Sequence, residues 1–234
     1  MKKMVAVSEV LKWITDLESL PLFPVVIKDQ KVTKPHDISM FAGHPLLTEE
    51  SFAAIVGPLR GCSDLTEQAF ISLDYSHTTI ATIHWANVEE PFKGDEYQQI
   101  LDQIQLNPFQ LKPAKVVMNS AGEIRLLWKP VGENTGEIYR IRAGLRQRGL
   151  SQFDAPSIHT SLSYPTSPPN GCPVPKRVQL ILEEINVRLA HLPPVTLSQI
   201  GIRKAVFPDQ LTPSFFQNFR ETDRVAIRSP RELS

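Results

Sequence analysis

Two short stretches of the chain carry the same chemical groups in the same order. Tyr75-Ser76-His77-Thr78-Thr79-Ile80 and Ser157-Ile158-His159-Thr160-Ser161-Leu162 each present a histidine, a threonine, a second hydroxyl residue and an aliphatic residue. Both lie in segments rich in Ile, Thr, Leu and Tyr, which read as β-strands. Side chains alternate along a strand, so His77 and Thr79 share one face, as do His159 and Ser161, while Thr78, Ile80, Thr160 and Leu162 turn the other way. An imidazole beside a hydroxyl on a common face can move a proton near neutral pH and hold an anionic oxygen. Supplied twice, the set can deprotonate a nucleophile on one side of a reacting atom and protonate a leaving group on the other.

The surrounding pattern predicts how the motifs are positioned. In a first pass the strand at His77 is followed by a helix from Asp95 through Tyr97, Ile100, Leu101 and Ile104. Strands at 114–118 and 123–128 come next, joined by the turn Asn119-Ser120-Ala121-Gly122. In a second pass the strand at His159 leads through a proline-rich loop to a helix carrying Val178, Ile181, Leu182, Ile185, Val187 and Leu189, then to strands near 195–200 and 203–207. Counted from its own histidine, the helix starts 18 residues on in the first pass (Asp95) and 17 in the second (Lys176). The following strand starts 37 residues on (Ala114) and 36 residues on (Val195). Such agreement marks a duplicated β-α-β-β unit, with a further helix at 137–150 joining the passes. The expected fold is α+β, with two pseudo-symmetric lobes of antiparallel sheet, helices outside, and a groove between the lobes that holds both motifs.

The expected organisation is an N-terminal helical or irregular extension, residues 1–65, packed on a bilobal domain, residues 66–234. Within the extension, Ser8 caps a helix through Val10, Leu11, Trp13, Ile14 and Leu17. A short strand follows at 25–27, and Thr48 caps a second helix with Phe52, Ile55 and Val56 that Gly57-Pro58 is expected to stop.

Composition narrows the function classes. The 234 residues include 25 basic and 25 acidic side chains, so net charge is zero and the strong electrostatic grip of proteins on long nucleic acid is not expected. Cys62 and Cys172 belong to no Cys-x-x-Cys pair and make no zinc site by themselves, which suits thiols in a reducing compartment. The apolar run at the N-terminus is cut by Ser8 and Glu9, too early for a signal peptide, and no run reaches membrane-spanning length. A cytoplasmic monomer without a membrane partner is expected.

The motif pair resembles the two-histidine (2H) phosphoesterase superfamily of cyclic phosphodiesterases and RNA ligase-like RNA-processing proteins. His77-Thr78-Thr79-Ile80 and His159-Thr160-Ser161-Leu162 match its two His-x-Thr/Ser-aliphatic motifs, here 82 residues apart, and the resemblance covers residues 66 to about 208. It implies a metal-independent phosphodiesterase, without cofactor, opening a cyclic or ribose-adjacent phosphodiester of a small nucleotide or short RNA. His77 and His159 are then the catalytic acid and base, in an order the motifs leave open. Thr79 and Ser161 bind the phosphoryl oxygens, each contributing about 1–3 kcal/mol. Tyr75, on the His77 face, lines the cleft. Tyr164 lies on the Leu162 side of a regular strand, unless the chain bends before Pro165 and brings its ring over a base. The alternative is a nucleotide- or RNA-binding protein of the same fold without turnover.

The remaining histidines read as bystanders. His84, seven positions after His77, faces away from it in a regular strand; His36 and His44 sit in proline-flanked loops, and His191 at a helix end. Arg140, Arg142, Arg146 and Arg148 are either the solvated face of the joining helix or a source of one or two cations for a phosphate.

Overall fold

The computed structural model of the chain describes residues 26–28, 31–33, 37–43, 47–73, 76–86, 99, 103, 105–119, 122–148, 158–166, 173–198 and 200–206. Their strands are β1 (Val26–Lys28), β2 (Lys31–Thr33), β3 (Asp37–Gly43), β4 (Gln68–Phe70), β5 (Thr78–Ala86), β6 (Phe109–Met118), β7 (Ile124–Val131), β8 (Ile158–Pro165), β9 (Val195–Leu197) and β10 (Ile200–Val206). The helices are α1 (Glu49–Arg60), α2 (Glu137–Gln147) and α3 (Lys176–Leu189). Hairpin β1–β2 stands apart, and the other strands form one curled antiparallel sheet in the order β10-β3-β5-β8-β7-β6-β9, with β4 also paired to β8.

Two half-sheets meet in this order. One is β10-β3-β5 and the other β8-β7-β6-β9, and the junction is a single cross-strand pair, Thr79 with His159. The two passes therefore exchange strands: β7 of the first pairs with the motif strand of the second, and β6 follows beyond β7. Residues 37–43, placed by sequence in the N-terminal extension, form β3 between β5 and β10. Helix 8–17 lies outside the described residues, as does nearly all of helix 95–104, of which Gln99 and Gln103 are helical.

The three helices pack through stripes at helical spacing. α1 buries Phe52, Ile55, Val56 and Leu59; α2 buries Ile138, Ile141 and Leu145; α3 buries Val178, Leu182, Ile185 and Leu189. These close over Ile80, Val116, Ile124, Leu126 and Leu162 of the sheet. Thr48 caps α1 as expected, its Oγ1 accepting from the Ser51 backbone N–H at 3.2 Å. The helix does not stop at Gly57-Pro58 but runs on to Arg60, because Leu59, fully buried, anchors the last turn and offsets the bond that Pro58 cannot make. On the stretch of β6 beyond its pairing with β9, the side-chain amide of Asn186 in α3 substitutes for a neighbouring strand: its Oδ1 accepts from Val116 N–H at 2.6 Å and its Nδ2 donates to Val116 C=O at 3.1 Å.

Candidate active site

The two motifs lie side by side and antiparallel. Thr79 pairs with His159, and one step along, the hydroxyls of Thr78 and Thr160 meet at 3.0 Å on the core side of the sheet. Trp128 Nε1 donates to Thr160 Oγ1 at 2.9 Å, so the threonines form a hydroxyl staple beneath the site, roofed by the indole. Continued one further step, the same register sets His77 opposite Ser161. His159 thus faces the hydroxyl residue of the first motif, and the Thr78–Thr160 bond lies beside that pair. His77, Thr79, His159 and Ser161 are between 3 and 8% exposed, which strengthens every electrostatic interaction among them.

Both motif strands bulge at the same motif position. In β5, Thr79 pairs with Ala42 and Ala81 with Phe41, so Ile80 is the extra residue. In β8, Ser161 pairs with Arg125 and Ser163 with Ile124, so Leu162 is the extra residue. A bulge reverses the faces beyond it and leaves backbone groups outside the ladder. Accordingly Ala81, which strict alternation places beside His77 and Thr79, belongs to the apolar core. The two bulge carbonyls are satisfied by different means. Ile80 C=O accepts from the buried Arg142 Nε at 2.8 Å, and Leu162 C=O accepts from the Ile71 backbone N–H at 2.9 Å.

The turn between β6 and β7 delivers a carboxylate to the second motif. Asn119 and Glu123 close it, with Asn119 N–H to Glu123 C=O at 3.0 Å and Glu123 N–H to Asn119 Oδ1 at 3.0 Å. Gly122 adopts φ +78°, and a Cβ there would come within 3.3 Å of Pro165 Cβ. Gln68 ties the turn to β8, its Nε2 donating to Gly122 C=O and its Oε1 accepting from Ser163 Oγ. So placed, Glu123 Oε1 accepts from Ser161 Oγ at 2.7 Å, and Glu123 Oε2 accepts from Arg125 Nη2 at 2.8 Å. Ser161, Glu123 and Arg125 form a buried chain on the His159 side of β7 and β8.

The His159 imidazole titrates well below the ordinary histidine range. Burial is the largest cause; the positive charge of Arg125 pushes the same way, the Glu123 carboxylate opposes it, and His77 and Arg142 add to the lowering. His159 is therefore neutral at physiological pH, in the form of a proton acceptor.

Of the residues singled out from sequence, His77, Thr79, His159 and Ser161 come together. Tyr75 lies outside the described residues, as do His36 and His44. Tyr164 is carried past the Leu162 bulge onto the His159 side, where it pairs with Ala69; with Ala69, Ile71 and Leu127 it is buried yet stands apart from the apolar core. His84 takes a position in β5 paired with Ser39, and His191 is exposed after α3. Sequence reasoning missed Glu123 and Arg125, and did not separate Arg142 from the other three arginines of its helix. Arg142 has a signal, since it alone of the four arginines lies on the Ile138-Ile141-Leu145 stripe of α2. Arg125 has another, a charge between Ile124 and Leu126 in an apolar strand. By contrast, Arg140 turns back on Glu137, and Arg148 donates to Gly144 C=O. Among the described residues no group of three His, Cys, Asp or Glu side chains is placed to hold a metal ion, and no helix is long and apolar enough to cross a membrane.

Comparison with known proteins shows the fold. No family model matches the chain, and no curated protein matches it. A conserved protein of unknown function from Agrobacterium tumefaciens superposes with a TM-score of 0.55 at 15% identity, over 75% of this chain and 84% of that one. LigT of E. coli gives a TM-score of 0.47 at 13% identity, over 74% and 89% of the two chains. TT0787 of Thermus thermophilus gives 0.41 at 17% identity, over 74% and 91%. The first of these carries the fold likeness; the resemblance to the 2H superfamily lies in the paired motifs.

Proposed function

We propose that the chain is a phosphodiesterase that hydrolyses a cyclic or ribose-adjacent phosphodiester, such as a 2′,3′-cyclic nucleotide, an RNA end or a related small nucleotide, by acid/base catalysis from two histidines. The observation that carries this reading is the antiparallel meeting of the two motifs, with Thr79 paired to His159, Thr78 bonded to Thr160, and His77 near enough to act on the charge of His159. In this scheme His159, neutral in its buried and cationic surroundings, accepts a proton from water as the water oxygen bonds to phosphorus. The bond from phosphorus to the ribose oxygen breaks, and His77 supplies the proton that oxygen needs. The products are a phosphomonoester and a free ribose hydroxyl. Thr79 donates to a nonbridging oxygen, and Arg125 offsets the charge that builds on the phosphoryl group. All proton transfers are assigned to side chains of this chain.

The test is incubation of the purified protein, with EDTA present, against a panel of 2′,3′-cyclic nucleotides, RNA with cyclic phosphate ends, ADP-ribose cyclic phosphate, 2′,5′-linked oligonucleotides and cyclic dinucleotides, with the products identified. Cleavage of at least one compound, lost in both His77→Ala and His159→Ala, is expected. Activity that survived the double replacement would falsify the two-histidine scheme.

A further inference from the structure

Glu123 is an anion placed where the proposed reaction brings another. Its carboxylate takes the single hydroxyl hydrogen of Ser161 and one side of the Arg125 guanidinium, two groups that would otherwise serve a phosphoryl oxygen. All three side chains are buried, so the charge is poorly screened. We propose that Glu123 is a charge-selecting residue of the site, admitting a monoanionic phosphodiester and disfavouring a dianionic phosphomonoester, the product included. This rests on the phosphodiesterase reading and adds a selectivity to it.

The physical argument follows the charge through the reaction. A diester carries one negative charge, and a monoester approaches two above its second pKa, about 6. A fixed carboxylate beside the phosphoryl position repels both, and repels the doubly charged species more. Arg125 compensates one negative charge, and Glu123 already draws on that compensation through their 2.8 Å contact. The carboxylate is positioned by the Asn119–Glu123 turn, which Gln68 ties to β8. The field of Glu123 also reaches His159, where it opposes the effect of Arg125. Ser161, its hydrogen committed to Glu123, keeps only acceptor capacity for a substrate.

The test is titration calorimetry of the full chain at about pH 8, where the monoester is dianionic, with 2′-deoxyadenosine 3′-monophosphate and its O-methyl diester. The diester is not a cyclic phosphate, and chromatography of each titrated sample checks that it stays intact, so that the heats report binding. Wild type is expected to bind the monoester no more tightly than the diester; monoester binding tenfold tighter overturns the proposal. Glu123→Gln is expected to raise monoester affinity by roughly tenfold and diester affinity by less, and adding Ser161→Ala is expected to remove part of that gain. Glu123→Asp, which keeps the charge, is expected to show no gain, and an equal gain in Asp and Gln variants overturns the assignment to charge. Circular dichroism checks folding; if Glu123→Gln does not fold, the wild-type and Glu123→Asp titrations decide. No binding of either ligand to wild type and Glu123→Gln alike also overturns the proposal. A protein that shows these affinities but cleaves no phosphodiester loses the hydrolase reading alone, and one that cleaves diesters but prefers the monoester loses only the role of Glu123.

Discussion

The two motif strands match in position and differ in what supports them. β5 and β8 both bulge at the aliphatic residue of the motif, Ile80 and Leu162, and both set a histidine and a hydroxyl on one face with a threonine stapled beneath. In β8 the bulge carbonyl is held by backbone, Ile71 N–H, whereas in β5 it is held by one side chain, Arg142 of α2. The second hydroxyl is engaged by Glu123, and the neighbour of β8 is β7, whereas the neighbour of β5 is β3 from the N-terminal segment. The two motifs thus occupy a matched pair of strands. The surrounding elements made one dependent on a helix and the other on a turn.

The largest effect expected of any substitution tests what is common to both strands. His77→Ala and His159→Ala should each lower turnover by about 10²–10⁴-fold, with EDTA without effect on the wild-type rate. The pH profile sharpens this, because His159 is held neutral by burial and by Arg125, so the acid limb should fall below the ordinary imidazole range near 6.5. An acid limb above that range in steady-state kinetics would count against His159 as the base. The same shift links to stability. With its folded pKa depressed, His159 contributes stability that is complete above about pH 6.5 and is lost as pH falls from there through the folded value.

The next effect separates the strands. Arg142→Met keeps the side chain's reach but leaves the Ile80 carbonyl buried without its donor, and should destabilise the fold by about 1–3 kcal/mol in urea titrations. Turnover should fall as well, since the bulge sets the direction of Thr79 and His77. If Arg142→Met matched wild type in both stability and rate, α2 would have no part in holding the first motif. The Leu162 carbonyl, held by a backbone N–H, loses its donor only through a change such as Ile71→Pro.

A comparable effect on stability arises where α2 begins. The Arg140 guanidinium, chiefly, pulls the Glu137 carboxyl from 4.5 down to about 2, with Asn107 donating to it as well. Its folded pKa is depressed, so the stability it contributes is full above about pH 4.5 and drains away as pH falls through about 2. The loss should be about 1–3 kcal/mol, reduced from the value the shift alone implies because Arg140 is nearly half exposed. Acid titration of Glu137→Gln against wild type measures it; parallel curves down to pH about 2 would remove the effect.

The smallest effect probes the staple. Thr78→Val removes one neutral hydrogen bond and should cost about 1 kcal/mol, whereas Thr160→Val also strands the Trp128 indole N–H and should cost about 1–3 kcal/mol. Equal costs in thermal or urea unfolding would mean that the indole finds another acceptor.

Several elements were legible because their signals are local. Thr48 precedes an apolar stripe and caps α1; Lys176 begins the α3 stripe; Asn119 through Gly122 reads as a turn, and the strands on either side follow. The stopping of α1 at Gly57-Pro58 failed for a tertiary reason, the burial of Leu59. The strand at 37–43 was not seen, since Asp37-Ile38-Ser39-Met40-Phe41-Ala42-Gly43 carries weak alternation and is defined by its partners β5 and β10. Strict alternation put Tyr164 on the Leu162 side; the bulge moved it across.

By itself the sequence determined the two candidate motifs: a pair of His-x-Thr/Ser segments whose histidines are 82 residues apart, each written in the pattern of a strand. Residue type and period 2 are local properties, written wherever a strand is written. The tertiary structure alone decided how the motifs meet, with Thr79 against His159 and Thr78 bonded to Thr160, and which side chains attend them. Arg125 arrives from the neighbouring strand, Glu123 from the turn that precedes it, and Arg142 from a helix, 62 residues beyond Ile80. Bulges, strand exchange and a charge borrowed from another element depend on register between distant segments, and register is set by the packing of the whole sheet, not by any window of the chain.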